Sequence, residues 1–371
     1  MKKKLFIISA SAITIEAFLL CHIEVLKNFF DITIISNFSN VKKKIRGVKN
    51  YNINFNRKIN VLSDFIIFFN IIFYQINNRP DIVWTISPKA GFLGMISSFI
   101  LNVNCRIHIF TGQVWANKIG FYKWFLKNID KTISKLANVV LCDGQEQKKF
   151  LIQNNFKNHI HVIGKGSICG VDLKVFKPSS VTRKKYRKKL KINNDEIVLI
   201  YVGRLSREKG IFNLLNFCNK FKDKKIKLLL IGTDEENIRK KSLQNLNKKS
   251  NKIHFINFTN NVSSYLKCAD IFCMPSEREG FGVSVAEAMA CELPVVGTNI
   301  YGLKDLLKNN YNSITYKPDN FIEMSNAIFK LANSKKLRFK LGTNGRKLIT
   351  KYYEKQKVIE SYKIFFKSFI N

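Results

Sequence analysis

The stretch Ile197-Val198-Leu199-Ile200-Tyr201-Val202-Gly203-Arg204-Leu205-Ser206-Arg207-Glu208-Lys209-Gly210 decides how the rest of the chain is read. An unbroken apolar run stops at Gly203, a turn carrying cations follows, and a helical pattern starts at Ile211. A run of that kind is a strand covered on both faces, as in a parallel sheet with helices on either side. In open α/β sheets ligands bind beyond the carboxyl ends of the strands, which is where this turn would lie. Arg204 and Lys209 could grip a diphosphate there, the first through a planar fork and the second as a mobile point charge. They also read as two ordinary exposed cations in a chain with 63 Lys and Arg.

The same rhythm continues in both directions. Toward the C-terminus, strands are predicted at Lys227–Ile231, Lys252–Ile256, Ile271–Met274, Pro294–Val296 and Ser313–Tyr316. Toward the N-terminus they are predicted at Leu5–Ser9, Ile32–Ser36, Ile82–Ile86, Arg106–Phe110, Val139–Leu141 and His161–Ile163. Helical stretches lie between them, notably Gly91–Leu101 and Trp124–Leu136. Short apolar runs alternating with longer amphipathic ones specify α/β layers. The rhythm breaks near Lys177-Pro178-Ser179-Ser180, so two successive α/β units of similar size are expected in the 371 residues. Neither has a G-x-G-x-x-G after its first strand, which argues against a dinucleotide-dependent oxidoreductase. The last segment, Asn333 to Asn371, is helical by pattern, with Tyr352, Tyr353, Ile359, Tyr362, Phe365 and Phe366 as its apolar face.

A second strand–turn–helix carries chemistry. After Ile271–Met274 comes Pro275-Ser276-Glu277-Arg278-Glu279-Gly280-Phe281-Gly282-Val283-Ser284-Val285-Ala286-Glu287. A helix N-terminus offers unpaired N–H groups and a positive dipole end, and the glycines let backbone approach a ligand. Glu279 and Glu287 flank the turn. Glu287 has a structural alternative, because Ser284-Val285-Ala286-Glu287 has the spacing of a capping box.

Composition narrows the class. A hydrophobic share of 46% describes a globular protein rather than a disordered one. The net charge of +37 suits a polyanion, whether anionic lipid, nucleic acid or a phosphorylated substrate. It equally suits a compositional taste for lysine spread over solvated faces. No nucleic-acid module or aromatic–basic interleaving is present, so specific nucleic-acid binding is not expected. The eight cysteines show no C-x-x-C and no metal spacing, which fits a reducing cytosol and no bound metal. Met1-Lys2-Lys3-Lys4 followed by Leu5 to Leu20 imitates an export signal. Polar interruptions at Ser9, Ser11, Thr14 and Glu16 make it read as strand, helix, strand instead. Val61 to Ile76 falls short of the ~20 apolar residues of a membrane span, and a buried helix is expected, with an interfacial one as the alternative.

Taken together, the two turns resemble retaining GT-B glycosyltransferases of family 4. Glu279 to Glu287 is similar to that family's glutamate pair, and G-R-L-S-x-E-K-G to its phosphate-binding loop, in the expected order. The resemblance implies a GT-B fold: two Rossmann-like domains with parallel sheets facing across a cleft, and a C-terminal helix packing back on the first. The implied domains are residues 1–176, 177–350 and the returning helix 351–371. It also implies that Arg204 and Lys209 neutralise the departing diphosphate, Glu279 bonds the transferred sugar, and Glu287 binds the ribose. Gly203 would end the strand, and backbone N–H groups of Phe281, Gly282 and Val283 would face sugar and phosphates. Gly166-Ser167-Ile168-Cys169-Gly170-Val171-Asp172 looks like the hinge signature of the same enzymes. Ser87-Pro88-Lys89-Ala90-Gly91 and Arg106 to Trp115 resemble a subgroup making capsular polysaccharide or O-antigen on polyprenyl-diphosphate acceptors.

Two positions depart from the family. Where many members have a histidine near the reacting sugar, this chain has Thr111, placed with Gly112 and Gln113 on the acceptor side. His108 reads as a strand-face residue. Glu292 stands where relatives have a helix-ending glycine. The resemblance implies retaining, metal-independent transfer of a hexosyl or N-acetylhexosaminyl group from a nucleotide diphosphate sugar, a UDP-sugar by expectation. The acceptor would be lipid-linked or a surface polysaccharide, no cofactor is needed, and the place is the cytoplasm or the inner membrane face. Lys2–Lys4 and Lys42–Arg46 would then face anionic lipid. The alternatives are a sugar-nucleotide epimerase of the same fold and a polyanion-binding protein.

Overall fold

The computed structural model describes residues 2–39, 45–56, 60–156, 159–221, 225–245 and 252–370. The chain forms two compact units, one of Met1–Gly170 with Gln356–Asn371 and one of Val171–Lys355. Each is a Rossmann-like layer of parallel strands flanked by helices.

In the first unit the strands are β1 (Lys4–Ser9), β2 (Asp31–Ser36), β3 (Lys49–Asn52), β4 (Ile82–Ile86), β5 (Cys105–Phe110), β6 (Val139–Cys142) and β7 (Ile160–His161). They lie in the order β3-β2-β1-β4-β5-β6-β7, and every pairing is parallel. In the second unit they are β8 (Ile197–Val202), β9 (Ile226–Ile231), β10 (Ile253–Ile256), β11 (Ile271–Met274), β12 (Val295–Thr298) and β13 (Ser313–Tyr316). Their order is β10-β9-β8-β11-β12-β13, again all parallel. Both orders reverse beside the unit's first strand, so β1/β4 and β8/β11 are the switch points where such sheets open a crevice.

The strands form because Ile, Val and Leu runs are covered on both faces. Leu5, Ile7, Ile8, Val198, Leu199 and Ile200 have no exposed surface. Each unit has its own core, one around Phe6, Val83 and Trp115, the other around Tyr201, Phe217 and Phe272.

The C-terminal helix, Lys355–Lys367, belongs to the first unit. Phe366 lies 4.8 Å from Trp84 and 6.4 Å from Phe30, ring centroid to centroid. Tyr362 lies 4.2 Å from His22. The chain passes between units at Gly170, inside the glycine-bearing segment rather than at Lys177. Val171 is claimed by the second unit because its N–H donates to Tyr353 O (2.8 Å) and its carbonyl accepts from Lys355 N (2.9 Å).

One expectation is overturned. Helix Val61–Asn78 forms, but only Ile67, Ile71 and Gln75 are buried. Leu62, Phe65, Ile66, Phe69 and Phe73 stand at half exposure or more. Ser63, Asp64 and Gln75 share the side of the helix that carries Ile67 and Ile71, so periodicity alone points burial at the more apolar side, which stays exposed. Within the expected basic stretch Lys42–Arg46, residues 42–44 lie outside the described residues; Ile45 is buried and Arg46 exposed.

Candidate active site

At the switch point of the second sheet, β8 and β11 are neighbours, with Leu199 opposite Ile271 and Ile200 opposite Phe272. The two turns singled out in the sequence are the ones that leave these two strands. Parallel pairing therefore delivers them to the same edge, side by side.

The turn after β8 is held by main-chain bonds. Gly203 N–H donates to Ile231 O (3.0 Å) and Leu205 N–H to Thr233 O (2.8 Å). The Tyr201 hydroxyl donates to Arg204 O at 2.9 Å. A 3-10 turn, Arg207–Lys209, then leads through left-handed Gly210 into helix Ile211–Lys220. The turn after β11 is fastened to it. Arg278 pairs with Glu208 (2.5 Å), and Glu277 N–H donates to Glu208 O (3.1 Å).

Lys209 and Glu279 meet across the two turns. Lys209 Nζ lies 2.6 Å from Glu279 Oε1 and donates to Arg278 O at 3.1 Å. Both side chains are mostly covered, at 12% and 16% exposure. Arg204 is more open, at 40%, and its guanidinium pairs with Glu235 Oε2 at 2.8 Å. Glu235 was not singled out in the sequence. It sits on the turn after β9, where Thr233-Asp234-Glu235-Glu236 reads as solvated charge, and only the β9/β8 adjacency brings it to Arg204.

Glu279 is held from behind. Gly302, in the 3-10 turn Tyr301–Leu303, lies so close to Glu279 O that any Cβ there would collide with it. Gly282 takes φ +80° as the N-cap of helix Val283–Ala290. The left-handed region is open to glycine at little cost. Because the helix starts at Val283, Ser284 is its second residue and Glu287 its fifth. A capping box needs the serine at the N-cap and the glutamate three residues on, so that reading of Glu287 falls. Its carboxylate has no hydrogen-bond or ion-pair partner among the described residues. Although it keeps some exposure, the surrounding protein pushes its carboxyl up to about 8 by desolvation. Among those residues the N–H groups of Phe281, Gly282 and Val283 likewise find no main-chain acceptor. Phe281 itself is buried, its ring 5.0 Å from that of Tyr353.

The residues expected on the acceptor side lie at the carboxyl edge of the first sheet. Thr111 and Gly112 are partly exposed after β5, whereas the Gln113 side chain is fully buried. Gln147 Nε2 donates to Gln113 Oε1 (3.3 Å), and Gln147 Oε1 accepts from Asp143 N–H (2.7 Å). Gln113 thus shapes this edge from inside rather than facing solvent. His108 is a strand-face residue: its Nδ1 lies 2.7 Å from Thr85 Oγ1, and burial pushes its imidazole down to about 3. Ser87 takes φ 75°, ψ 149° just before helix Pro88–Ile100, a region sparsely used outside glycine. Strain of this kind next to the β1/β4 switch point marks the Ser87–Gly91 turn. Among the described residues no three His, Cys, Asp or Glu side chains gather as a metal site.

Residues 182–348 match the family Glycosyl transferases group 1. The capsular polysaccharide biosynthesis glycosyltransferase CapM of Staphylococcus aureus is 29% identical over 93% of this chain and 91% of its own length. An uncharacterized glycosyltransferase of Haemophilus influenzae is 30% identical over 72% of each chain. An N,N'-diacetylbacillosaminyl-diphospho-undecaprenol alpha-1,3-N-acetylgalactosaminyltransferase of Campylobacter jejuni is 27% identical over 75% of this chain and 74% of its own. Among solved structures, Anabaena HepE in complex with UDP superposes with a TM-score of 0.81 at 16% identity, covering 99% of this chain and 100% of that one. That likeness is one of fold, the two-unit GT-B architecture.

Proposed function

The chain belongs to the glycosyl transferases group 1, and on that premise we propose that it moves a hexosyl or N-acetylhexosaminyl group from a UDP-sugar to a polyprenyl-diphosphate-linked acceptor, with retention. The observation that carries this reading is the 2.6 Å contact of Lys209 with Glu279 at the β8/β11 switch point. It puts a cation for the diphosphate beside a carboxylate for the sugar. The acceptor class is supported by the diphospho-undecaprenol substrate in the name of the Campylobacter jejuni relative. The donor class is supported by the UDP complex of HepE.

In this reading the diphosphate competes with Glu279 for Lys209 and with Glu235 for Arg204. As the glycosidic bond breaks, charge grows on the diphosphate, and both cations are already aimed there. Preorganised charge of this kind is the largest single contribution in many enzymes. Freed from Lys209, Glu279 takes the hydroxyls of the transferred sugar. Glu287, which has no side-chain partner among the described residues, accepts from the ribose hydroxyls, and the N–H groups of Phe281, Gly282 and Val283 face sugar and phosphate. Arg204 and Lys209 take the part a divalent ion plays elsewhere, so the reaction runs without a metal or other cofactor. Retention follows from attack on the face the diphosphate leaves, with a diphosphate oxygen taking the acceptor proton. A two-step scheme with Glu279 as nucleophile is the alternative, and wholly preserved donor hydrolysis and transfer in Glu279→Gln would rule it out. The enzyme works in the cytoplasm, peripherally on the inner membrane face.

A donor screen tests the reading directly: mass spectrometry of sugar-nucleotide consumption with polyprenyl-diphosphate acceptors. One UDP-sugar should be consumed, unaffected by chelators. Lys209→Ala should cut kcat by about 100- to 1,000-fold, the size of losing one preorganised donor. Unchanged turnover in Lys209→Ala and Arg204→Ala would overturn the assignment.

A further inference from the structure

In the first unit, helix Val61–Asn78 packs on helix Pro88–Ile100, which packs on helix Gly120–Leu136. Each leads from one parallel strand back to the start of the next, so all three begin at the carboxyl edge of the sheet. Asp64 and Lys89, 2.7 Å apart, tie the first two beginnings together. At this edge the first helix exposes Leu62, Phe65, Ile66 and Phe69, and the third exposes Ile119, Phe121, Tyr122 and Trp124. Phe121 stacks on Trp124 (5.5 Å) and on Phe125 (6.4 Å).

Beside these residues Asp64 is paired with Lys89, and the unburied charge on the third helix is of one sign. Helix Gly120–Leu136 carries Lys123, Lys127, Lys131 and Lys135 at four-residue spacing, a row along one side. Its single carboxylate, Asp130, is buried and accepts from Trp115 Nε1 at 2.8 Å. An aromatic and aliphatic edge bordered by lysines matches an anionic bilayer: aromatic rings suit the headgroup boundary and lysines suit the phosphates. A second copy would set the same lysine row against itself. Helix Val61–Asn78 is long and apolar enough to cross a membrane. Yet Ile67 and Ile71 anchor it in the core of the first unit, which keeps it lying along a surface.

We propose that the first unit docks on an anionic bilayer through this edge, with helix Val61–Asn78 in the headgroup boundary and Phe121, Tyr122 and Trp124 inserted. This deepens the peripheral-membrane part of the function proposed above, and rests on that reading only for its purpose. It also moves the lipid contact from Lys2–Lys4, on the amino side of β1, to the opposite edge of the sheet.

The chain supplies its own reporter. Of its three tryptophans, Trp84 and Trp115 are 0% and 1% exposed and Trp124 is 60% exposed. The full chain is titrated with phosphatidylcholine vesicles containing or lacking phosphatidylglycerol, reading tryptophan emission and acrylamide quenching. The expected result is a blue shift with loss of quenching on the anionic vesicles. Leu62→Ser/Phe121→Ser, both at exposed positions, should weaken vesicle binding at least about tenfold. Lys123→Gln/Lys131→Gln should weaken it about fivefold per lysine on anionic vesicles only. Equal binding to both vesicle types, or no shift on either, overturns the proposal. So does a dimer by sedimentation in which Trp124 is shielded without lipid, since a second copy then covers the edge. Sugar transfer to a detergent-dispersed acceptor is measured in parallel. Transfer without vesicle binding sinks the docking surface and leaves the reaction standing; vesicle binding without sugar-nucleotide consumption does the reverse.

Discussion

Desolvation holds the Glu287 carboxyl up near 8, so at neutral pH most of the unliganded protein carries it protonated. A carboxylate can accept from both hydroxyls of a ribose, whereas a protonated carboxyl must donate its own hydrogen as well. If Glu287 holds the ribose, donor binding has to expel that proton. Affinity for UDP-glucose, which has no titrating group near neutrality, should therefore rise with pH and level off above about 8. Below that the limiting slope is about tenfold per pH unit. Titration calorimetry between mildly acidic and mildly alkaline buffers reads this, and Glu287→Gln should flatten the profile. A flat wild-type profile would leave Glu287 without its ribose role. Arg204, Lys209 and Glu279 were nameable as candidates from sequence, through the resemblance of the two turns taken together, and the structure brings those turns side by side. Glu235 was not nameable: its partnership with Arg204 depends on β9 lying against β8, and no spacing encodes that. For Glu287 local chemistry left a cap and a ligand site equally open and the resemblance favoured the ligand site; the helix start at Val283 removes the capping box.

Helix Val283–Ala290 ends in a way that tests how local rules act within this fold. Glu292 takes φ +61°, while Glu292 N–H donates to Met289 O (2.9 Å) and Leu293 N–H to Ala288 O (3.0 Å). This is the left-handed helix ending that glycine favours, and a side chain there costs about 1 kcal/mol. The offsetting contact is Arg346 Nε at 3.7 Å from Glu292 Oε1, both side chains partly exposed, worth at most ~0.5 kcal/mol. Glu292→Gly should stabilise the second unit by less than about 0.5 kcal/mol, because the lost ion pair and the extra freedom of the unfolded glycine chain both trim the gain. Thermal melts read the shift, and UDP-glucose affinity should not move. Elements were legible where apolar runs are buried on both sides: Ile82–Ile86, Ile197–Val202 and Ile271–Met274 fall where the pattern puts them. β3 escaped because Lys49-Asn50-Tyr51-Asn52 is polar and pairs on one side only, at the sheet edge. Helix Val61–Asn78 was legible as a helix but not as a surface, since the side it buries also carries Ser63, Asp64 and Gln75.

Across the whole molecule, the chain makes its first unit from both ends, with the second unit inserted between Gly170 and Gln356. The last helix is therefore part of the first unit's core, although it follows the whole of the second in sequence. Phe366 has no exposed surface and lies against Trp84, Phe30 and Phe369. Emptying that site should cost about 3–5 kcal/mol, the range for a buried phenylalanine cut to alanine. Each unit has a core of its own, so the loss should stay in the unit that holds Phe366. In Phe366→Ala, amide hydrogen exchange should quicken in β1 and β4 by sub-global opening while β8 and β9 keep their protection. UDP-glucose affinity, which the proposed donor site assigns to residues of the second unit, should hold within about twofold, an energy change below ~0.5 kcal/mol. Transfer should fall more steeply if the acceptor binds, as proposed, at the weakened unit. Equal acceleration in β8 and β9 would mean that the two cores unfold as one. The proposed donor residues could then not be studied apart from the first sheet.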